Sequence, residues 1–404
     1  MRGQRLNFAF LNIGHFLDHL FMLIFATVAA LRLTEEWGMS YAALIPYATP
    51  GFIAFGICAL PAGWLADKWS REGMMVIFFI GIGASSIATA LANTPIQMAL
   101  GLLAIGAFAA IYHPVGLAMV VHGREKTGVP LAVNGVFGNL GVAAAALITG
   151  YFIDTGGWRN AFVLPGMISV GLGLVYAAIV WVGREQRVHG RTATVATEST
   201  SRGAAAVERS VFVRLFAIIM LTTAIGGIIF QGTTFALPKI FDERLTDIAG
   251  SATAIGGYAF LVFAVAAIAQ LYVGYLLDRH SARTIFAVIA GLQAVLFAIM
   301  YQLTGLAALL VSTAFMLVVF GQIPINDVLV GRITKSEWRA RMYGIRFILN
   351  FTVMASTLPV IAGIHANWGF GMLFVAMATA ASATFAAVLL LPRTGAIRAQ
   401  PMTA

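Results

Sequence analysis

The sequence predicts an all-α polytopic membrane protein with twelve transmembrane helices arranged as two six-helix bundles. Of its 404 residues, 60% are hydrophobic and only 10% are charged, whereas soluble domains are roughly 45–50% apolar and about 25% charged. Apolar runs of about 20 residues, the length that a helix needs to cross a bilayer, recur along the whole chain. One long polar segment near the middle of the chain separates two sets of such runs.

Charged residues and Pro- or Gly-rich breaks divide the apolar runs into twelve predicted spans. These are 7–31, 42–66, 73–92, 95–121, 129–152, 160–182, 213–238, 250–277, 284–303, 306–331, 341–364 and 369–391. We therefore expect an N-terminal bundle over 1–183, a cytoplasmic linker over 184–212 and a C-terminal bundle over 213–404. The linker is rich in Arg, Thr, Ser and Ala, which is typical of a flexible, solvated segment. The first run contains ionisable residues, so it is interpreted as a retained helix rather than a signal peptide.

Lysine and arginine residues indicate the orientation of the chain. The net charge of +9 is dispersed over short loops, a distribution that argues against a nucleic-acid partner and for a membrane protein. A cytoplasmic N-terminus places nearly all basic residues on the cytoplasmic side. The exceptions are Arg32, Arg159, Lys239 and Arg244 on the other side, and Arg346 inside a span. The positive-inside rule thus predicts a multi-pass protein of the cytoplasmic (inner) membrane with both termini in the cytoplasm.

Two short motifs recur at corresponding places in the two halves. "GWLADKWSR" begins at Gly63 and "GYLLDRHSAR" begins at Gly274. Equivalent spans therefore run in the same direction, as in a parallel repeat with a substrate path between the halves. A carboxylate at a helix end can accept hydrogen bonds from a neighbouring helix N-terminus or pair with an arginine. The predicted gating residues in these loops are Asp67, Arg71, Asp278 and Arg283; the alternative is that the motifs only anchor the topology.

Both loop motifs resemble the signature loop of the major facilitator superfamily, a Gly-x-Leu-Ala-Asp-Arg/Lys pattern that ends in basic residues. Within that superfamily, "GAFAAIYHPVG" and "NGVFGNLGVAAAALITGYFID" resemble the fosmidomycin-resistance-type efflux proteins. The matching residues are His15, His113, Pro114, Gly138, Asn139 and Gly141. The chain lacks the Gly-Pro pair of drug antiporters in its fifth span, and it has no Lys or Arg in its fourth. The resemblance implies a monomeric transporter, not an enzyme, that needs no cofactor.

The stretch "GHFLDHL", residues 14–20, carries three ionisable side chains inside the first span. Spacings of three and four residues place His15, Asp18 and His19 on one helical face. Such groups are costly in a bilayer unless they face protein or water, so they mark functional pathways. His113 lies at a similar depth in the fourth span, and we predict that the four side chains converge. Proton coupling, a divalent-metal site and a purely structural polar cluster remain open interpretations.

Further polar residues lie inside the predicted spans. Asn139 and Gln231 are candidate substrate contacts, together with the four residues that we expect to converge. Asp327 and Arg346 lie near the predicted cytoplasmic ends of the tenth and eleventh spans, where an ion pair would act as a gate or a structural contact. If Arg346 instead faces the central cavity, it favours an anionic substrate.

The predicted function is secondary active transport of a small organic solute by alternating access. Transport is predicted to be coupled to protons, and export is favoured over import. No GxxxxGK[ST] string is present, so coupling must come from an ion gradient or from the gradient of the substrate. The expected partners are the solute, protons and the lipid bilayer. The alternatives are a transition-metal or metal-chelate transporter, an importer of an organic anion, a membrane-embedded metalloenzyme and a sensor that does not transport.

Overall fold

A computed structural model describes residues 2–124, 127–188, 209–333 and 336–391, and within these ranges the chain is helical without any β-strand. Ten membrane-spanning helices are α1 Arg5–Glu36, α2 Tyr41–Lys68, α3 Arg71–Thr89, α4 Pro95–Val121, α5 Gly128–Thr155, α6 Arg159–Val182, α7 Val213–Thr234, α8 Ala252–Arg279, α9 Ala282–Ile299 and α10 Gly305–Val330. A further helical run, Ser336–Leu389, is interrupted at Gly369, where φ is 71° and ψ is −176°. We name its two parts α11 and α12. The predicted all-α membrane fold is confirmed, while most of the predicted linker lies outside the described residues.

The first helix is longer than the predicted span 7–31 because its charged end is neutralised locally. Arg32 lies one helical turn before two acidic residues, and its guanidinium is 3.3 Å from both Glu35 and Glu36. Pairs at spacings of three and four residues support a helix at its surface. The helix can therefore continue past the apolar run without leaving unpaired charges at the membrane boundary.

A π-helical turn interrupts α4 at Tyr112–Gly116, the segment "YHPVG". Pro114 has no backbone N–H and its ring collides with the preceding turn, so the regular hydrogen-bond ladder cannot continue through it. π-Turns inside α-helices occur frequently at functional sites. Here the irregular turn carries Tyr112 and His113 toward α1.

The helices pack as two sets that meet along two seams. In the first half α1 packs on α5, α2 on α4, and α3 on α6. In the second half α8 packs on α10, while α7 and α9 pack against the run that contains α11 and α12. One seam joins α5 to α8 and the other joins α2 to α11. The repeat makes α2 equivalent to α8 and α5 equivalent to α11, so the seams are related by the pseudo-twofold axis expected of a parallel repeat.

The two ends of the bundle differ in how tightly the halves are joined. We call the end of the bundle that carries Arg5, Lys68, Arg124 and Arg279 the basic end, and we call the opposite end the far end. Toward the far end, α5 and α8 approach so closely that a Cβ added at Gly150 would lie 2.2 Å from a backbone oxygen of α8. The segment Thr49–Ile57 of α2 packs on α11, whereas Ala59–Lys68 packs on α3 and the π-turn of α4. Among the described residues, the halves are thus closed at the far end and less closely packed toward the basic end.

Arg244 reinforces the far end within the second half. It lies in a short helix, Leu237–Arg244, between α7 and α8. Its guanidinium donates hydrogen bonds to three backbone carbonyls of the α9–α10 turn, at 2.6 Å to Met300, 2.9 Å to Tyr301 and 2.9 Å to Leu303. Burial lowers the pKa of the guanidinium from its ordinary value, and the three carbonyls favour its charged form.

Candidate functional site

Four ionisable residues of α1 and α4 meet inside the first half, and we call them the His/Asp cluster: His15, Asp18, His19 and His113. Ring nitrogens of the three histidines lie within 4.8 Å of one another. The Nε2 atoms of His15 and His19 are 3.2 Å apart, and Nε2 of His113 is 3.4 Å from Oδ2 of Asp18. The structure therefore brings together the four residues that helical spacing and depth place near one another, while their role in coupling stays a prediction.

The hydrogen bonds of His15 determine its tautomer. Its Nδ1 lies 2.8 Å from the backbone oxygen of Asn134 in α5. A carbonyl oxygen can only accept, so Nδ1 of His15 carries the proton and donates it. In the neutral ring Nε2 is then an acceptor, and His19 must donate from its own Nε2 across the 3.2 Å contact. Protonation of His15 would remove that acceptor, so a proton entering here rearranges the pair.

Tyr112 and Asn134 hold the cluster in position. The ring of Tyr112 stacks on His15 with centroids 4.8 Å apart and an interplanar angle of 20°. Its hydroxyl donates to the backbone oxygen of Leu11 at 2.7 Å, and the amide nitrogen of Asn134 donates to that hydroxyl at 2.8 Å. The same amide also donates to Asn12 at 2.9 Å. Neither residue was predicted from the sequence, although Tyr112 adjoins His113 in "YHPVG".

Asp18 is the most enclosed member of the cluster. Its side chain is 0% exposed, whereas that of His113 keeps 15% of its surface. Neither carboxylate oxygen of Asp18, nor Nε2 of His113, makes a well-aligned hydrogen bond to the described residues. A buried carboxylate is costly unless it is protonated or paired. The buried Asp18 carboxylate therefore needs a proton or a cationic partner, and the partly exposed ring of His113 lies beside it.

Aromatic residues from both halves surround His113. Its ring centroid lies 5.6 Å from that of Phe55 in α2, 5.7 Å from Phe347 and 6.2 Å from Phe351 in α11. Phe55 and Phe351 contact each other across the seam with centroids 4.5 Å apart. Any movement of one half relative to the other must change these contacts. The cluster is thus built on one half and covered by the other.

The two predicted amide contacts lie at different depths. Asn139 follows Gly138, where an added Cβ would lie 2.7 Å from the His15 ring, so this part of α5 adjoins the cluster. Gln231 lies three residues before the far end of α7. Both amide nitrogens are buried without a hydrogen-bond partner in the described chain. An unpaired buried donor costs about 1–3 kcal/mol, which the oxygen of a ligand or water would offset.

The predicted gating residues make contacts inside single halves. Asp67 accepts a 2.8 Å hydrogen bond from Arg71 one turn away, and both are exposed. Arg283 donates to the backbone oxygen of Leu389 at 2.7 Å, which joins α9 to α12. The predicted pair of Asp327 with Arg346 is present between α10 and α11, and Asp278 is exposed. A gating role for the six residues stays a prediction.

A contact between the halves that the sequence analysis missed lies at the far end. The carboxylate of Asp154, at the end of α5, accepts hydrogen bonds from the first turn of α8. The distances are 3.3 Å from the Ala252 nitrogen, 2.7 Å from the Thr253 nitrogen and 2.5 Å from the Thr253 hydroxyl. A carboxylate at a helix N-terminus satisfies free N–H groups and opposes the positive end of the helix dipole. Asp154 therefore acts as a latch between the halves.

Asp154→Ala is expected to favour the state in which the far end is open. Loss of a helix cap costs about 1 kcal/mol, which corresponds to a roughly fivefold change in the ratio of the two states. The measurement is the distance between spin labels on exposed Thr155 and Thr246, in a variant that lacks Cys58. Glu35→Gln is the matched control because Glu35 is 81% exposed and pairs only with Arg32 in its own helix. Equal distance distributions in both variants would show that Asp154 is no latch.

The architecture and the site can now be compared with known proteins. Residues 11–264 match the Major Facilitator Superfamily. The chain belongs to this superfamily. The assignment confirms the general resemblance of the two loop motifs, and it agrees with the expectation of a membrane transporter rather than an enzyme. The narrower resemblance to fosmidomycin-resistance-type efflux proteins is not confirmed by the relatives found.

Similar curated superfamily members include two proteins of Pseudomonas putida. The 4-hydroxybenzoate transporter is 28% identical over 160 residues, which is 39% of this chain and 35% of the relative. The gallate transporter is 26% identical over 145 residues, or 35% of this chain and 32% of the relative. A probable hexose phosphate transport protein of Chlamydia pneumoniae is 26% identical over 151 residues, or 37% and 33%. The matches thus span about a third of the length of these relatives.

Solved structures of superfamily-like architecture match nearly the whole chain. A POT family transporter in complex with 5-aminolevulinic acid has a TM-score of 0.70 and 15% identity, and the match covers 96% of both chains. A bacterial homologue of the human lysosomal transporter Spinster, in an inward-facing and unoccupied conformation, has a TM-score of 0.67 and 14% identity, with 96% and 94% covered. At this level of identity the similarity establishes the fold alone.

Proposed function

We propose that the protein is a secondary active transporter that moves a small organic anion across the cytoplasmic membrane by alternating access, with protons as the coupling ion. The observation that carries the proposal is the His/Asp cluster. It is buried in one half at the junction with the other, and it contains an enclosed carboxylate in contact with a partly exposed imidazole. Ionisable groups in such a position are costly for a membrane protein and are retained for function.

The anionic nature of the solute is supported by two kinds of observation. The similar proteins include a 4-hydroxybenzoate transporter, a gallate transporter and a probable sulfoacetate transporter, and all three compounds are anions at neutral pH. In this chain the amide nitrogen of Asn139, the residue after Gly138, is a buried donor that has no acceptor among the described residues. Carboxylate or sulfonate oxygens would accept from this amide and from a protonated imidazole.

Proton coupling follows from the cost of burying charge. When the halves close around an organic anion, its negative charge leaves water and enters an apolar enclosure, which is unfavourable without a compensating charge. A proton on His113 or Asp18 supplies that compensation while the anion is bound. The loaded site then closes more readily with a proton than without one. The pair therefore links the movement of the halves to the occupancy of both anion and proton.

The proposal includes an orientation for the molecule. The basic end faces the cytoplasm, both termini lie there, and the monomer is the functional unit within the lipid bilayer. The described arginines and lysines of the short loops at that end include Arg5, Lys68, Arg71, Arg124, Arg279 and Arg283, as the positive-inside rule requires. In this orientation the state seen here opens to the cytoplasm. Uptake together with a proton and export in exchange for a proton would both use the Asp18–His113 pair. The direction of transport is therefore decided by the transport experiment.

The test is transport by purified protein in proteoliposomes. A thermal-shift screen of anions, neutral solutes and cations first selects the solute, with 4-hydroxybenzoate and sulfoacetate among the anions. An inwardly directed gradient of about one pH unit stores about 1.4 kcal/mol per proton and supports roughly tenfold accumulation of an anion carried with one proton. We expect the solute to accumulate in the vesicles, or to be expelled from them when the gradient is reversed. Addition of a protonophore should abolish either response. His113→Gln should abolish the response to pH. Selection of cations or neutral solutes only would overturn the anion proposal.

A second candidate function is transport of a transition metal or its chelate. The observation that favours it is the convergence of three imidazoles, whose ring nitrogens lie within 4.8 Å of one another. Imidazole nitrogen is a common ligand for divalent transition metals. Elemental analysis of purified protein separates the two functions. Stoichiometric metal in the wild type that is absent from His15→Ala would favour metal transport over transport of an organic anion.

A further inference from the structure

A groove on the membrane-facing surface of the second half runs between α9 and α12, far from the His/Asp cluster. It encloses about 770 Å³. Its apolar walls include Val288, Leu292 and Val295 of α9, which are 56%, 46% and 56% exposed, and Leu389 of α12, which is 45% exposed. Gly291 forms its floor, because a Cβ added there would lie 3.6 Å from the ring of Phe385. The groove is therefore elongated and apolar, and it faces the bilayer.

One end of the groove is polar. Ser281, Arg283 and Thr284 line it where α9 begins, at the basic end of the bundle. Arg283 uses one nitrogen to donate to the backbone oxygen of Leu389 at 2.7 Å. This bond holds the guanidinium at the mouth of the groove, and the group has five N–H donors in all. None of the described residues that line the groove is acidic, and Arg283 is the one charged residue among them.

The length of the groove suits a lipid chain. Ser281 and Val295 are separated by about 21 Å along α9, at 1.5 Å per residue. Half of the hydrocarbon core of a bilayer measures about 15 Å. The groove thus runs from the level of the headgroups at the basic end through one leaflet. A molecule that fills it must present an anion at Arg283 and an apolar chain beside Gly291.

We propose that this groove is a binding site for one anionic phospholipid of the leaflet at the basic end. The phosphate of the anionic headgroup contacts Arg283 and Ser281, and one acyl chain lies over Gly291 between α9 and α12. Basic pockets between membrane helices at the cytoplasmic side are suited to anionic headgroups. Such a lipid would add apolar contacts between α9 and α12 beside the single Arg283–Leu389 hydrogen bond. The inference does not depend on which solute the protein carries.

The experiment is native mass spectrometry of the full-length protein released from a mild detergent. Phosphatidylglycerol and phosphatidylcholine with identical acyl chains are titrated separately, and the lipid-bound fraction is measured. We expect one phosphatidylglycerol to be retained roughly fivefold more strongly than phosphatidylcholine, the effect of one cationic side chain near a membrane surface. Arg283→Gln should remove the preference for phosphatidylglycerol. Gly291→Leu should weaken retention of both lipids because its side chain fills the floor of the groove.

The matched control is Arg279→Gln at the same end of the second half. The guanidinium of Arg279 lies 3.5 Å from the ring centroid of Tyr275, and neither residue lines the groove. This variant should keep the preference of the wild type. Equal retention of the two lipids by the wild type would overturn the proposal, as would equal losses in Arg279→Gln and Arg283→Gln. If Arg283→Gln does not fold, the proposal is tested by the retention of the two lipids by the wild type and by the loss of retention in Gly291→Leu.

Discussion

Asp18→Asn is expected to abolish accumulation driven by a pH gradient while leaving exchange of the solute across the membrane intact. The side chain is fully buried and lies 3.4 Å from His113, and asparagine keeps its shape while removing the group that takes up the proton. The variant therefore resembles the protonated state at every pH. A gradient of about one pH unit supports roughly tenfold accumulation per coupled proton, and the variant should show none. The measurement compares pH-driven uptake with counterflow in the same proteoliposomes.

Glu35→Gln is the matched control for this experiment as well. Glu35 is 81% exposed and its salt bridge is with Arg32 in the same helix, so its replacement should leave pH-driven accumulation unchanged. Loss of counterflow in Asp18→Asn would point to a structural role for the carboxylate. Accumulation at the wild-type level would remove Asp18 from the coupling mechanism.

Gly150→Leu is expected to prevent closure of the far end and so to populate the opposite state. A Cβ at this position would lie 2.2 Å from the backbone oxygen of Ala252 across the α5–α8 seam, closer than any real Cβ contact. Overpacking of this kind costs about 1–3 kcal/mol, which shifts the equilibrium between the two states by about 5- to 150-fold. Spin labels at Thr155 and Thr246 should report an increased distance, and steady transport should fall because the halves no longer alternate.

Two glycines of the same helix provide controls. An added Cβ at Gly135 meets nothing within 4 Å, so Gly135→Leu should not change the distance at the far end. A Cβ at Gly141 would lie 2.1 Å from the backbone oxygen of Phe16, but this contact joins α5 to α1 inside the first half. Gly141→Leu should therefore lower the melting temperature without opening the far end. An unchanged distance in folded Gly150→Leu would contradict the proposed closure.

Most of the fold could be predicted because a bilayer permits few backbone structures. A spanning segment must satisfy its backbone hydrogen bonds internally, so each apolar run of sufficient length becomes a helix. The boundaries were less predictable. The first helix continues to Glu36 because Arg32 pairs with acidic residues one turn later. The break between the last two helices falls at Gly369, in a conformation that glycine adopts readily.

The candidate site was predictable where helical geometry governs it. His15, Asp18 and His19 share a face by spacing alone, and the depth of His113 placed it opposite them. The supports of the cluster were not predictable in this way. Asn134 contacts His15 through its backbone oxygen, and a backbone contact leaves no signal in the identity of a side chain. Tyr112 reaches Leu11 because a π-turn rotates the end of α4.

Taken alone, the sequence determined the class of the protein, its helices, the parallel repeat and the convergence of the four residues of the His/Asp cluster. These features depend on length, hydropathy and periodicity, which are local properties of the chain. Only the tertiary structure decided which end is closed, that Asp154 caps α8 from the other half, and that α9 and α12 leave a groove with Arg283 at its mouth. Such contacts join residues that are distant along the chain, and they depend on the relative position of helices that a local pattern does not encode.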